Sequence, residues 1–137
     1  VGHKRADIRN ACVAKLTGAT AAGDRVVSNR AARFFGMAFP YISIFALNEE
    51  SGQNDMTGTD ELRTLNLAID LYVSVTEGIE DEIDDLAKAV EDLMDADDAL
   101  GGHAINCELK GTETDLSMAG DQPFGLARLT YQVTYLA

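Results

Sequence analysis

The chain has 137 residues, 46% of them hydrophobic, and a net charge of −12. That length suits one domain, residues 1–137, and no run approaches the ~20 apolar residues of a membrane-spanning helix. The charge argues against general nucleic-acid affinity, and two cysteines are too few for a disulfide framework.

Lys4, Arg5 and Arg9 are followed by an amphipathic pattern rather than a continuous apolar one. No secretory signal is visible, and the expectation is a protein folded and used from the cytoplasm. Over residues 4–17, Ile8, Cys12 and Leu16 fall four apart with Ala11 beside them, which predicts a first helix. Thr17 and Gly18 close it, and residues 19–24 read as a loop. Val26 and Val27 predict a short strand near residues 25–29, followed by an irregular arm. Arg25, Arg30 and Arg33 make that arm basic, and Phe34, Phe35, Met37 and Phe39 follow. Such an aromatic cluster belongs to a core or to a subunit contact.

Pro40 opens a strand with Tyr41, Ser43, Phe45 and Leu47 on one face and Ile42, Ile44 and Ala46 on the other. Apolar residues on both faces predict a central position in the sheet. Residues 48–60 are polar, contain Gly52 and Gly58, and read as a long, flexible hairpin loop. From Leu65 to Thr76 the alternation is the strongest period-two signal in the chain. Its length predicts a bend or a bulge in that strand.

A second helix follows over residues 78–98. Ile79, Ile83, Leu86, Val90 and Leu93 form one stripe, widened by Ala87 and Met94. Its other face carries Glu80, Asp81, Glu82, Asp84, Asp85, Glu91 and Asp92, with Lys88 alone against them. The acids of the first turn complement the helix dipole, whereas Asp95, Asp97 and Asp98 at the far end oppose it. Gly101 and Gly102 stop the helix. Ile105, Cys107 and Leu109 predict a fourth strand, residues 120–125 a turn, and Leu129, Tyr131, Val133 and Tyr135 a fifth strand. Cys12 and Cys107 both fall on apolar faces and read as buried thiols.

The order is helix, short strand, strand, strand, helix, strand, strand. It predicts an α+β two-layer sandwich: a mixed or mainly antiparallel sheet of four to five strands with two helices on one face. The other face, partly polar and partly aromatic, stays open unless another subunit covers it.

No catalytic constellation emerges. The carboxylates crowd one helix face instead of converging as an acid–base pair. Asp95, Asp97 and Asp98 lack the frame and closing glutamate of a calcium loop. His3 and His103 have no partner at ligand spacing, and residues 18–24 lack the lysine of a phosphate loop. The expectation is no enzyme, no cofactor and no metal.

Charge is instead polarised along the chain. Residues 1–36 hold seven basic residues against two acids, a balance of +5, and residues 77–98 hold eleven acids against Lys88, a balance of −10. Such opposite patches suit contacts between neighbouring copies; a solvated face that aids solubility is the simpler account. The candidate contact residues are Arg25, Arg30, Arg33, Phe34 and Phe35 on the arm, and Asp84, Asp85, Asp95, Asp97 and Asp98 on the helix.

Two blocks carry a family resemblance. One is the run IRNACVAKLTGATAAGDRV from Ile8; the other joins Leu100-Gly-Gly, Leu109-Lys-Gly-Thr-Glu-Thr and Leu126-Ala-Arg-Leu-Thr-Tyr-Gln-Val-Thr-Tyr. Together they resemble the tail-terminator and tail-completion proteins of long-tailed bacteriophages, the minor tail protein U-like group. The resemblance implies a virion protein, made in the host cytoplasm, that forms a hexameric ring on the head-proximal end of the tail tube. Its implied partners are other copies of itself, the tail tube protein and the head connector. Genomic DNA would pass through the lumen without sequence-specific binding. The alternatives are another head–tail neck protein, or an acidic module that imitates DNA.

Overall fold

The computed structural model describes residues 4–28, 40–53, 61–74, 78–96, 100–102, 104–117 and 124–136. In chain order they form α1 (Lys4–Leu16), β1 (Val26–Val27), β2 (Tyr41–Gln53), β3 (Glu61–Ser74), α2 (Ile79–Asp95), a 3-10 turn (Leu100–Gly102), β4 (Asn106–Ser117) and β5 (Phe124–Leu136). This is the predicted α+β order. One five-stranded sheet runs β1-β2-β3-β5-β4. Every pairing is antiparallel except β1 with β2. The two hairpins therefore interlock: β5, not β4, pairs with β3, and β4 is sent to the edge.

The helices share one face of the sheet. The α2 stripe buries Ile83, Leu86, Ala87, Val90 and Met94, with Ile79 and Leu93 half-buried. Against it lie Leu65, Leu67, Ile69, Leu71 and Val73 of β3 and Ala127, Leu129, Tyr131 and Val133 of β5. Each large aliphatic group withdrawn from water contributes roughly 1.5–3 kcal/mol, so this layer dominates the stabilising side of folding. Alongside, α1 buries Ile8, Cys12 and Leu16 as its spacing predicts. Thr17 closes α1 by donating from both its amide and its hydroxyl to the Val13 carbonyl. Gly18 then takes φ +72°, a conformation other residues adopt at a cost.

Several expected boundaries shift. Residues 48–53, read as loop, continue β2 and pair with residues 61–66 of β3; residues 54–60 lie outside the described residues. β4 extends to Ser117 and β5 begins at Phe124. In the β2 and β4 extensions the backbone ladder takes the chain into the sheet, while Asn48, Glu50 and residues 111–116 stay exposed and carry no alternating apolar signal. The helix α2 ends at Asp95 with Ala96 as its cap, before the two glycines expected to stop it. Leu100 follows at φ +50°, buried in the core.

The bulge expected in β3 lies elsewhere. β3 pairs with β5 in unbroken register from Leu62↔Leu136 to Ser74↔Phe124. The shifts occur in the outer strands, at Leu47 between Ala46 and Asn48 and at Lys110 between Leu109 and Gly111. A central strand is laddered on both sides, so an extra residue there would disrupt two pairings. Both bulges fall on one row, because Ala46 pairs with Leu67, Leu67 with Tyr131, and Tyr131 with Leu109. A bulge bends its strand and raises the local twist, so the sheet has one transverse line of bending.

Where α2 begins, the packing depends on Gly125 of β5. A Cβ there would stand 2.8 Å from Ile79 Cδ1 and 3.2 Å from both Ile83 Cδ1 and Val73 Cγ2. The first turn of α2 thus rests directly on strand backbone. Gly125→Val is expected to lower stability by about 2 kcal/mol through overpacking. A urea midpoint unchanged from the parent would refute this.

Candidate assembly surfaces

The outer face of α2 is built by the same periodicity that builds its stripe. Glu80, Asp81, Glu82, Asp84, Asp85, Lys88, Asp92 and Asp95 are all exposed. Gly78 precedes the helix and supplies no side-chain cap, so the acids of the first turn are its electrostatic complement. Lys88 donates to Asp92 one turn on at 2.8 Å, and that hydrogen bond raises the lysine pKa. No basic residue stands in the last turn. The expected opposition between Asp95 and the helix dipole is therefore present; Asp97 and Asp98 lie outside the described residues.

Beside α2 the second half of β4 is uncovered. α2 packs on β3 and β5, and residues 111–116 of β4 are exposed throughout. A groove of about 570 Å³ results, lined by Glu80, Ile83 and Asp84 of α2 and by Thr114, Asp115 and Leu116 of β4. Leu116 is 46% exposed. Beyond it, the outer edge of β4 has no described strand beside it. Glu108, Lys110, Glu113, Asp115 and the bulge at Lys110 are devices that discourage indiscriminate pairing at such an edge. At the opposite side, among the described residues, β1 covers β2 only at Ile42 and Ser43.

The face away from the helices is not open as expected. Tyr41, Ser43, Ala68 and Asp70 are at most 1% exposed, and Phe45 is 8% exposed. Tyr41 stacks on Tyr72 with ring centroids 4.6 Å apart, and Tyr72 meets Phe124 at 5.5 Å. Arg128 reaches the buried Asp70 in a fork, Nε to Oδ1 at 2.8 Å and a terminal nitrogen to Oδ2 at 2.9 Å. Its guanidinium also lies 5.2 Å from the centre of the Phe45 ring. Donating this hydrogen bond to Asp70 raises the arginine pKa further. Only the far half of this face, with Asn66, Thr130, Gln132 and Thr134, is polar and half-exposed.

A second polar cluster ties the layers together. Glu49 accepts from Arg5 of α1 at 3.3 Å, lies 3.5 Å from Arg63 of β3, and accepts from the Tyr135 hydroxyl of β5. Burial first, and then this carboxylate, push the Tyr135 pKa up to about 12. Lys4 donates to the Leu136 carbonyl beside it.

Of the arm residues, only Arg25 is described. Its Nε donates to the Pro40 carbonyl at 2.9 Å, while its own carbonyl accepts from Ile42. Arg30, Arg33, Phe34 and Phe35 lie outside the described residues. Asp84, Asp85 and Asp95 share the exposed acidic face, and Asp84 also borders the groove. Sequence reasoning missed Glu80, Thr114, Asp115 and Leu116 as surface partners of Asp84. It also missed the Asp70–Arg128 and Glu49 clusters. The one available signal was a lone charge in the polar phase of a strand, at Asp70 and again at Arg128.

Among the described residues, no three His, Cys, Asp or Glu side chains meet in a way that could hold a metal ion. No described helix is long and apolar enough to cross a membrane.

No protein-family model matches the chain, and no curated protein matches it either. Among solved structures, it is similar to a chain from the virion of a native gene transfer agent (GTA) particle. The TM-score is 0.58 at 13% identity, over 99% of this chain and 100% of that one. The two chains share a fold from end to end.

Proposed function

We propose that this chain is a structural subunit of a tailed, phage-like virion. In this reading it forms a closed ring, expected to be hexameric, on the head-proximal end of the tail tube. The ring ends tube growth and presents the surface to which the head connector attaches. DNA passes through the ring without being read, and no reaction is catalysed.

The observation that carries this reading is the end-to-end likeness to a chain of the gene transfer agent virion. The two sequence blocks that resemble tail terminators add to it, since they span α1 and the β4–β5 hairpin. Charge supports it as well. An acidic face on α2 and a basic N-terminal quarter give one subunit two different patches. Contacts between unlike patches close into rings when the rotation between copies closes.

The test is electron microscopy of the purified protein, alone and mixed with tail tubes of the same particle. Rings of uniform diameter, and tubes capped at one end that no longer elongate, are the expected result. Tubes that continue to grow at both ends in excess protein would overturn the terminator role.

A further inference from the structure

We propose that the groove between α2 and the free half of β4 receives the basic, aromatic segment around residues 30–35 of a second copy. The inference rests on the assembling-subunit reading and names its contact.

Complementarity carries it. Glu80, Asp84 and Asp115 surround the groove with carboxylates, while Ile83 and Leu116 give it an apolar floor and rim. The segment Arg30-Ala-Ala-Arg33-Phe34-Phe35 offers two guanidinium groups and two phenyl rings within six residues. Arginine and aromatic side chains are the residues that most often anchor interfaces. At about 570 Å³ the groove is in the range of sites that seat such groups (~300–1,000 Å³).

Three other basic groups of the N-terminal quarter are already engaged. Arg5 holds Glu49, Lys4 holds the Leu136 carbonyl, and Arg25 holds the Pro40 carbonyl. None of these is followed by paired phenylalanines.

The residues that bracket the segment and the groove stand at opposite ends of the strand order. Ser28 and Pro40, which bracket the segment, lie at the β1–β2 edge. The groove lies at the β4 edge, across β3 and β5 and on the far side of α2. Seated on a second copy, the segment makes a contact between unlike surfaces, the head-to-tail type that a ring requires. Its charged component is weakened by salt.

The experiment uses the full chain. One protein carries Leu116→Cys and the other Phe34→Cys; the native thiols Cys12 and Cys107 are buried and do not compete. Mixed under mild oxidation, the two are expected to form a disulfide-linked heterodimer in preference to either homodimer. Adding Asp84→Lys and Asp115→Lys to the first protein should lower the yield at least five-fold. Arg30→Glu and Arg33→Glu in the second should restore it. Asp84 and Asp115 are exposed, and circular dichroism verifies each fold. No heterodimer, or a yield indifferent to charge reversal, overturns the groove contact. Capped tubes formed without the cross-link would also reject the groove while leaving the ring reading intact. A charge-dependent cross-link without capped tubes would uphold the groove and reject the terminator role.

Discussion

Arg128→Met is expected to cost about 3 kcal/mol of folding stability, more than Asp70→Asn. The reason is asymmetric burial. The Asp70 side chain is 1% exposed, whereas the Arg128 side chain is 35% exposed. Removing the arginine leaves a carboxylate in the sheet with neither counter-ion nor water, and breaking such a pair costs roughly 3–5 kcal/mol. Removing the carboxylate charge instead leaves a guanidinium that water can reach, so the penalty falls to about 1–2 kcal/mol. In the double variant no buried charge remains, and part of the loss should return. Urea unfolding of the two single variants and the double one closes a mutant cycle with coupling of about 1–3 kcal/mol. Equal losses for the two single variants would refute the asymmetry. A loss below about 0.5 kcal/mol for Arg128→Met would show that the fork is incidental.

Alkaline pH should destabilise this protein before arginine titrates out of its ion pairs. Burial raises Cys12 from 9.0 to about 12, with Cys107 beside it contributing. Burial likewise raises Tyr41 and Tyr131 above 10.0, and Tyr135 to about 12. In every case the folded pKa exceeds the unfolded one. The unfolded chain therefore loses its protons first, and stability present below about pH 9 is lost as pH rises toward 12. Cys12 alone accounts for on the order of 4 kcal/mol at the upper end of that window. Thermal melts between pH 8 and 11 should fall steadily, and Cys12→Ala should flatten the slope while costing some stability at neutral pH. Tyr131→Phe should flatten it too, yet raise stability at pH 7 by about 1 kcal/mol. Among the described residues its buried hydroxyl has no hydrogen-bond partner, and an unmet buried donor is a standing cost. A melting temperature independent of pH over this range would contradict the burial of these groups.

The helix stripe shows how far local pattern reaches. Ile83, Leu86, Val90 and Met94 bury where their spacing places them, because helical period and apolar content are local properties of the chain. The same holds for Leu65 to Val73 and for Leu129 to Tyr135. Residues 48–53 and 111–117 were not legible as strand, because nothing local marks them. They are extended only because β3 and β5 lie alongside and take up their backbone hydrogen bonds.

The candidate surfaces divide in the same way. The acidic face of α2 was plain from the sequence, since every acid in it belongs to one helix. Its groove was not. Glu80 and Asp84 meet Thr114, Asp115 and Leu116 only because β5 pairs with β3 and displaces β4 to the edge. The fork between Asp70 and Arg128 depends on one register, fifty-eight positions apart in the chain. A shift of one residue would turn every side chain of β5 to the other face.

By itself, then, the sequence determined the elements, their order, the two-layer class and the uneven distribution of charge. All of these follow from periodicity and composition within short windows. Strand order, the shared row of bulges, the buried aromatic half of the second face and the open groove were decided by tertiary structure. Each arises from pairing between distant segments, where the ladder and the packing of α2 select one register among many that the local pattern permits.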